Sequence, residues 1–345
     1  MPRAVFLTAV LLFVGTRATA AEAPPGGSIG YVFTDLFWTV YQTEEASECP
    51  RGFNDGPREQ FAALYPEPGR LGVEATQLAQ EIATWHPTAE PDGFPFYTAQ
   101  GPYAYGLDLD GETSPDDFEH PDGTPGIDNA VYRAVGCIIG FRGPDGVEYI
   151  FQSKAIKDEA YNRMMIHLTG VDSLVDDDRV TVTVYRGRDE LLTDATGEKI
   201  MPGGTQRVDR RWGEPLIRET GGRIVGGVLT TEPIDELVIP WQNLQVPSIH
   251  RIRDARFELR LGESRAEGLL AGYADVDTWY YQLIRNDSTH HLANGQISAI
   301  SLYKALRRLA DAYPDPETGE NTAISTSLDV RMTQVHIVDE AGAAQ

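Results

Sequence analysis

The residues best suited to chemistry form an acidic stretch between positions 107 and 129. It opens with Asp108-Leu109-Asp110-Gly111 and closes with Gly126-Ile127-Asp128-Asn129. Ca²⁺ takes six to eight hard oxygen ligands, and glycines permit the tight turns that bring such ligands together. We therefore predict a Ca²⁺ site in this loop, built from seven carboxylates and one amide: Asp108, Asp110, Asp116, Asp117, Glu119, Asp122, Asp128 and Asn129.

The acidic stretch is not an EF-hand. That loop needs an acid or amide at its fifth position, Gly at the sixth and Glu at the twelfth, and the spacing after Asp108 does not provide them. The alternative to a cation site is a solvated acidic turn, because Asp, Gly and Pro are ordinary loop residues. So many carboxylates in one short loop nevertheless repel one another unless they are spread apart or neutralised.

Other catalytic and metal-binding patterns are weak. The sequence contains neither G-x-S-x-G nor H-E-x-x-H, and its seven histidines show no zinc-peptidase spacing. A transition-metal site would need three distant histidines, or histidine with Met164 or Met165, to converge. The aromatic residues Tyr273 and Trp279 are candidates for stacking on a ligand such as a sugar ring, with core packing as the alternative.

Two cysteines, Cys49 and Cys137, are the only ones in the chain. An exported protein favours their pairing as a disulfide, and two separate buried thiols are the alternative. Without a C-x-x-C or C-x-x-C-H motif, neither a thioredoxin-type redox site nor a c-type haem is expected.

Part of the chain resembles a group of uncharacterised exported proteins of Gram-negative bacteria. The resemblance rests on the segments Cys49-Pro50-Arg51-Gly52, 106–111 and Gly126-Ile127-Asp128-Asn129, followed by Cys137. Those proteins also carry a D-x-D-G loop, then G-I/V-D-N and a cysteine. The resemblance covers about residues 48–185. It implies export and a bacterial source, and it carries over no catalytic residue.

The N-terminus independently predicts export. Arg3, the apolar run Ala4–Val14 and Ala18-Thr19-Ala20 have the order of a signal peptide that ends at residue 20. A buried N-terminal helix is the alternative, but residues 21–28 read as a polar linker. A periplasmic or secreted protein is therefore expected. The sequence contains no uninterrupted stretch of 18 apolar residues, so no membrane span is expected. A net charge of −23 disfavours nucleic acid as a partner.

Short β-branched runs separated by Gly and Pro predict the fold class. The clearest is Val180-Thr181-Val182-Thr183-Val184, which alternates strictly. We predict a mainly β fold, an antiparallel, jelly-roll-like β-sandwich. The expected division is an N-terminal aromatic and acidic-loop subregion at 29–154 and a β-region at 155–340 that contains an amphipathic helix at 297–312.

Three functional hypotheses remain open from the sequence. The leading one is an exported non-catalytic binding or structural protein, stabilised by Ca²⁺, whose extracytoplasmic ligand is unknown. The second is an extracytoplasmic hydrolase that acts on a glycan. The third is a periplasmic protein that binds a transition metal. A pair of carboxylates beside Tyr273 or Trp279 would favour the hydrolase.

Overall fold

The computed structural model describes residues 23–54, 96–143, 146–158, 160–211, 216–241, 249–282 and 299–340. The predicted signal peptide at 1–20 and the first residues of the linker lie outside these ranges. Within them, no helix has the length and apolar character needed to cross a membrane.

The described chain is mainly β. The strands, in chain order, are β1 Ser28–Trp38, β2 Met164–Thr169, β3 Asp177–Arg186, β4 Gly204–Arg207, β5 Arg218–Val225, β6 Val228–Thr231, β7 Ile234–Pro240, β8 Ile249–Leu261, β9 Arg265–Asp275, β10 Ala312–Pro314 and β11 Asn321–Val338. The α-helices are α1 Ala130–Val135, α2 Val147–Asp158, α3 Val276–Gln282 and α4 Ala299–Leu309. Short 3₁₀ helices occur at Pro25–Gly27, Ile139–Phe141 and Ala160–Asn162.

All eleven strands belong to one sheet, and that sheet closes on itself. The order runs β1-β2-β3-β5-β6-β8-β9-β11, and β11 then pairs back to β1. These pairings are antiparallel. The short β4 adds to β11 in parallel, while β7 and β10 pair with β8 and β11 outside the ring. The result is a closed eight-stranded β-barrel.

Alternate side chains of the ring strands fill the barrel. Tyr31 and Phe33 of β1 point inward with Val182 of β3, Phe257 of β8 and Val330 of β11, all at most 1% exposed. An eight-stranded barrel has room for little more than its own side chains. These buried side chains occupy the interior, so the candidate site described below lies on a loop outside the barrel.

A cluster of aromatic rings belongs to the same core. Trp38, at the end of β1, lies 4.9 Å from Trp241, 5.2 Å from Trp279 and 5.6 Å from His250, measured between ring centroids. Burial lowers the pKa of His250 to about 3, so this imidazole is neutral and acts as a packing residue.

The mainly β, antiparallel prediction is confirmed, but the chain does not form the two separate stacked sheets expected of a sandwich. The physical reason is the pairing of β1 with β11, which joins the ends of the sheet. It also places residues 28–38, assigned from sequence to the N-terminal subregion, in the same sheet as the strands that follow. The predicted helix at 297–312 is observed as α4, Ala299–Leu309.

Candidate metal centre

The D-L-D sequence places two carboxylates on one side of the loop. Leu109 is 3% exposed and anchors the segment, while Asp108 and Asp110 on either side are exposed. Each aspartate also closes a local turn: the Asp108 carboxylate accepts from the amide of Gly111 at 2.7 Å, and that of Asp110 accepts from Glu112 at 2.8 Å. Side-chain bonds to nearby backbone amides are typical of Asp in turns.

Asp128 comes to the same place through an antiparallel bridge. Its amide donates to the carbonyl of Leu107 at 2.9 Å, and its carboxylate accepts from the amide of Leu109 at 2.6 Å. One carboxylate oxygen from each of Asp108, Asp110 and Asp128 then lies within 4.8 Å of the others. We call these three residues the aspartate triad.

Gly126 allows a close approach beside the triad. Its φ of +77° lies in the left-handed region, and a Cβ there would meet the carbonyl oxygen of Glu112 at 2.9 Å. The same point is 3.2 Å from the hydroxyl of Thr113 and 3.5 Å from Oδ2 of Asp108. Additional neutral oxygens therefore lie close to the triad carboxylates.

The loop is fastened to the barrel by hydrogen bonds that avoid the triad carboxylates. Arg256 of β8 donates to the carbonyl oxygens of Leu109 at 2.7 Å and Asp108 at 3.4 Å. At the other end of the loop, the amide of Ala130 donates to the hydroxyl of Ser325 on β11 at 2.8 Å. The barrel wall thus sets the backbone position, and the Arg256 guanidinium contacts backbone carbonyls instead of the triad carboxylates.

The electrostatics of the triad are those of crowded acids. Burial raises the pKa of Asp128 to about 6. The hydrogen bond from Leu109 opposes this shift, and the negative charges of Asp110, Asp117 and Asp311 add to it. Within the described residues, no Lys or Arg forms an ion pair with a member of the triad. Three converging carboxylates without a direct ion pair are an arrangement that a divalent cation would stabilise.

Asp311, which follows α4, is a further acid near the triad. Its carboxylate accepts from the Ser325 amide at 2.7 Å and hydroxyl at 2.5 Å. Burial raises the pKa of Asp311, and these two hydrogen bonds oppose that shift. Ser325 therefore links Asp311 to the amide of Ala130 and to the end of the acidic loop.

The other predicted metal ligands lie outside the triad. The carboxylate of Asp117 accepts from the amide and hydroxyl of Ser114, and that of Asp122 contacts His120 at 2.8 Å. Asp116 and Glu119 are exposed.

Asn129 has a structural role instead of a place among the triad ligands. Its amide group caps α1 by accepting from Tyr132, and it donates to Thr39 at 2.9 Å and to the Tyr105 carbonyl at 2.8 Å. These bonds explain why an amide follows Asp128 in the G-I-D-N segment.

The two predicted stacking residues have different surroundings. Trp279 is 3% exposed and packs against Trp38, so core packing accounts for it. Tyr273 of β9 is half-buried and makes an edge contact with Tyr313 at 5.9 Å. Burial raises the pKa of Tyr273, and nearby Asp128 and other acids add to that shift. Tyr273 therefore lies within electrostatic range of the triad carboxylates.

The predicted disulfide between Cys49 and Cys137 is present. Both residues are buried, and the bond ties the segment before Asn54 to the end of α1. The guanidinium of Arg142 donates to the Glu48 carboxylate beside this bond. The disulfide thus stabilises the structure from which the acidic loop projects.

Within the described residues, the aspartate triad is the only group of three or more His, Cys, Asp or Glu side chains close enough to hold a metal. Met164 and Met165 are 3% and 0% exposed and belong to the hydrophobic clusters. His86, His290 and His291 lie outside the described residues.

Sequence reasoning missed two residues at this site, Arg256 and Asp311. Arg256 follows an irregularity in the β8–β9 register between Arg253 and Arg256, which the alternation of apolar residues does not reveal. Asp311 follows an amphipathic helix, where an acid is ordinary.

Together, the fold and the site describe a closed β-barrel that carries a disulfide-anchored acidic loop. Comparisons with protein-family models, with curated proteins and with solved structures gave no match.

Proposed function

We propose that this chain is an exported, non-catalytic binding or structural protein in which Ca²⁺ holds the acidic loop in its folded form. The observation that supports this most directly is the aspartate triad, whose oxygens converge within 4.8 Å and form no ion pair with a Lys or Arg in the described part of the chain. A bound cation would convert the mutual repulsion of Asp108, Asp110 and Asp128 into attraction.

The ligand chemistry favours Ca²⁺ over transition metals. The triad supplies only carboxylate oxygens, and its nearest additional donors are the Glu112 carbonyl and the Thr113 hydroxyl. Hard oxygens suit Ca²⁺ and Mg²⁺, whereas Zn²⁺ and Cu²⁺ favour imidazole or sulfur. Mg²⁺ demands near-octahedral geometry, while Ca²⁺ tolerates irregular ligands from a loop.

A periplasmic or secreted location belongs to the same proposal. The N-terminal segment has the pattern of a signal peptide, and the buried Cys49–Cys137 bond is compatible with an oxidising compartment. Extracellular modules commonly bind Ca²⁺ with Kd values of about 10⁻⁴–10⁻³ M, which suits a partly exposed site.

A hydrolase that acts on a glycan is the second candidate, and one observation favours it. Tyr273 lies within electrostatic range of Asp128 and Asp311, two carboxyl groups whose pKa values are raised by burial. A raised pKa is what a general acid requires, and glycosidases use two carboxyl groups beside a sugar-binding surface. A non-catalytic binding or structural protein would show no such activity.

The experiment that separates these functions uses the purified mature chain. We expect elemental analysis to find about one Ca²⁺ per chain, EDTA to lower the melting temperature, and millimolar Ca²⁺ to restore it. A melting temperature that ignores both EDTA and Ca²⁺, with no metal in the protein, would contradict the proposal. Release of reducing sugar from a glycan panel, lost in Asp128→Asn, would instead support the hydrolase.

A further inference from the structure

A cavity of about 450 Å³ lies at one end of the barrel. It is formed by the chain before β1, the first residues of β1, the later residues of β2 and β11, and the turn between β8 and β9. Sites for small molecules occupy about 300–1,000 Å³, and the mouths of β-barrels are a common location for them. The large apolar residues that line this cavity are Pro24, Pro25, Ile29, Leu174, Val335 and Ile337.

The floor of the cavity is an apolar strip across neighbouring strands. Gly30 of β1 is the cross-strand partner of Val335 on β11 and of His167 on β2. Because Gly30 has no side chain, Ile337 packs directly over it, and a Cβ at this position would lie 2.6 Å from Cγ1 of Ile337. Val335 belongs to a hydrophobic cluster separate from the barrel core. The strip therefore offers a ligand an apolar surface on the outside of the barrel.

The chain before β1 forms a wall of the cavity. Residues Pro25–Gly27 make a 3₁₀ turn, in which the Gly27 amide donates to the Pro24 carbonyl at 2.9 Å. The Gly27 carbonyl accepts from the amide of Val171, also at 2.9 Å. The rings of Pro24 and Pro25 fix their own φ angles. Little conformational freedom is then lost at this wall when a ligand binds, which favours binding.

Glu263 supplies the charge of the cavity, since no other Asp or Glu and no Lys or Arg is among its described lining residues. Glu263 is exposed in the turn between β8 and β9, and within the described residues its carboxylate forms no ion pair. The amide of Gln334 donates to the carbonyl of Ser264 at 3.0 Å, which holds the turn beside β11 and brings Glu263 level with Val335. Arg265 pairs with Thr333 farther along the strands and lines a different cavity.

Two histidines complete the lining. His167 is half-buried and makes a ring contact with Tyr185 at 6.4 Å between centroids. Burial lowers the pKa of His167, so its imidazole is uncharged at neutral pH and does not repel a cation. His336 is exposed at the edge of the cavity. The cavity thus combines an apolar strip with one carboxylate at its exposed side.

We propose that this cavity binds a small organic ammonium ion with an apolar body. The ammonium group would lie at Glu263, and the apolar body on Val335 and Ile337 beside the two prolines. An anionic ligand would be repelled by Glu263 and by the net charge of −23. A hydrated inorganic cation would leave the apolar strip unused. This inference does not depend on Ca²⁺ at the aspartate triad.

The first test is an NMR titration of the full mature chain with hexylammonium, 1-hexanol and hexanoate, each up to about 10 mM. These probes share one hydrocarbon chain and differ in charge. We expect hexylammonium to bind about fivefold more tightly than 1-hexanol, because its charge is attracted by Glu263 at the exposed side, and hexanoate to bind most weakly. Propylammonium should bind at least about tenfold more weakly than hexylammonium, because it buries less apolar surface. Absence of hexylammonium binding, or equal affinity for the three hexyl probes, would overturn the proposal.

The second test uses matched variants. Glu263→Gln should weaken hexylammonium binding by about fivefold and leave 1-hexanol binding unchanged, because only the charge is removed. Ile337→Ala should weaken the binding of both probes, because it reduces the apolar strip. Glu258→Gln is the control, since Glu258 is an exposed acid on β8 of the same hairpin and does not line the cavity. An equal loss in the Glu258 variant, or full hexylammonium affinity in Glu263→Gln, would refute the assigned site.

Discussion

Replacing Asp110 with Asn gives the sharpest test of the aspartate triad, because the two hypotheses for the loop predict different results. Asn keeps the side-chain oxygen that accepts the hydrogen bond from the Glu112 amide, so the turn itself is preserved. Only the charge is removed. If the triad binds Ca²⁺, the variant should lose its response to Ca²⁺ while the cation-free protein becomes slightly more stable.

The magnitude of the cation-free effect follows from the geometry. Two unit charges 4.8 Å apart repel by about 1 kcal/mol at the dielectric constant of water. Asp110 is exposed and has Asp108 and Asp128 as neighbours. Removing its charge should therefore relieve about 1–2 kcal/mol in the absence of a cation, less at high salt.

The Ca²⁺ effect should be larger and of opposite sign. A ligand that binds only the folded form at a hundred times its Kd adds about 2.7 kcal/mol to the free energy of unfolding. Wild-type protein should gain this amount when Ca²⁺ is raised from zero to about 10 mM, provided that Kd is about 10⁻⁴ M. Asp110→Asn should gain little.

The assay is urea unfolding followed by tryptophan fluorescence, with and without Ca²⁺. Asp116→Asn is the matched control, since Asp116 is exposed in the same loop but outside the triad. A second control is Asp177→Asn, at the first residue of β3. The reasoning fails if all three variants respond to Ca²⁺ as the wild type does.

Three other perturbations test the surrounding structure. The stabilisation by Ca²⁺ should increase from pH 5 to pH 7. The pKa of Asp128 is raised to about 6, so its proton stabilises the cation-free protein at low pH, and this contribution is lost as pH rises through 6. A flat Ca²⁺ response over this range would argue against Asp128 as a ligand. Replacing Cys49 and Cys137 with Ser should lower the free energy of unfolding by about 4–5 kcal/mol in the chain-entropy model, because the bond spans 88 positions, and equal urea midpoints would contradict this. Arg256→Gln should lower the free energy of unfolding by about 1–3 kcal/mol, because it removes the charged hydrogen bond to the Leu109 carbonyl. The variant should also bind Ca²⁺ more weakly in calorimetry. An unchanged Ca²⁺ affinity would show that Arg256 does not position the triad.

Strand positions were largely predictable because their signal is local. The alternation at Val180–Val184 lies within β3. Gly226 and Gly227, both with positive φ, turn the chain between β5 and β6 and form a hairpin, which is the kind of glycine-marked break that separates short β-branched runs. Such periodic and turn signals need no knowledge of distant partners.

Helix α2 and the closure of the barrel could not be predicted in the same way. Val147–Asp158 lacks a clear apolar stripe, so the periodicity that identified α4 is absent there. The pairing of β1 with β11 joins Gly30 to Val335, residues about three hundred positions apart. No local pattern specifies such a long-range contact, and without it a sandwich and a barrel have similar strand sequences.

The candidate site shows the same division. The D-L-D alternation and the glycine-rich turns located Asp108, Asp110 and Asp128 correctly as converging acids, but they did not distinguish these from Asp116 or Asp122 in the same loop. The bridge from Leu107 to Asp128 makes that distinction, and it depends on how the loop folds back on itself. Asn129 was chosen for its side-chain oxygen as a metal ligand, whereas in the structure that oxygen accepts from the Tyr132 amide and caps α1.

The filled barrel limits where this protein can act. Since Tyr31, Phe33 and Phe257 occupy its interior, the aspartate triad lies outside it, beside β11. Ser325 of β11 accepts from the amide of Ala130 at the end of the acidic loop, and it donates to the carboxylate of Asp311 after α4. One strand of the barrel wall therefore contacts both the acidic loop and a further acid near the triad, so a change at Ser325 should affect the two together.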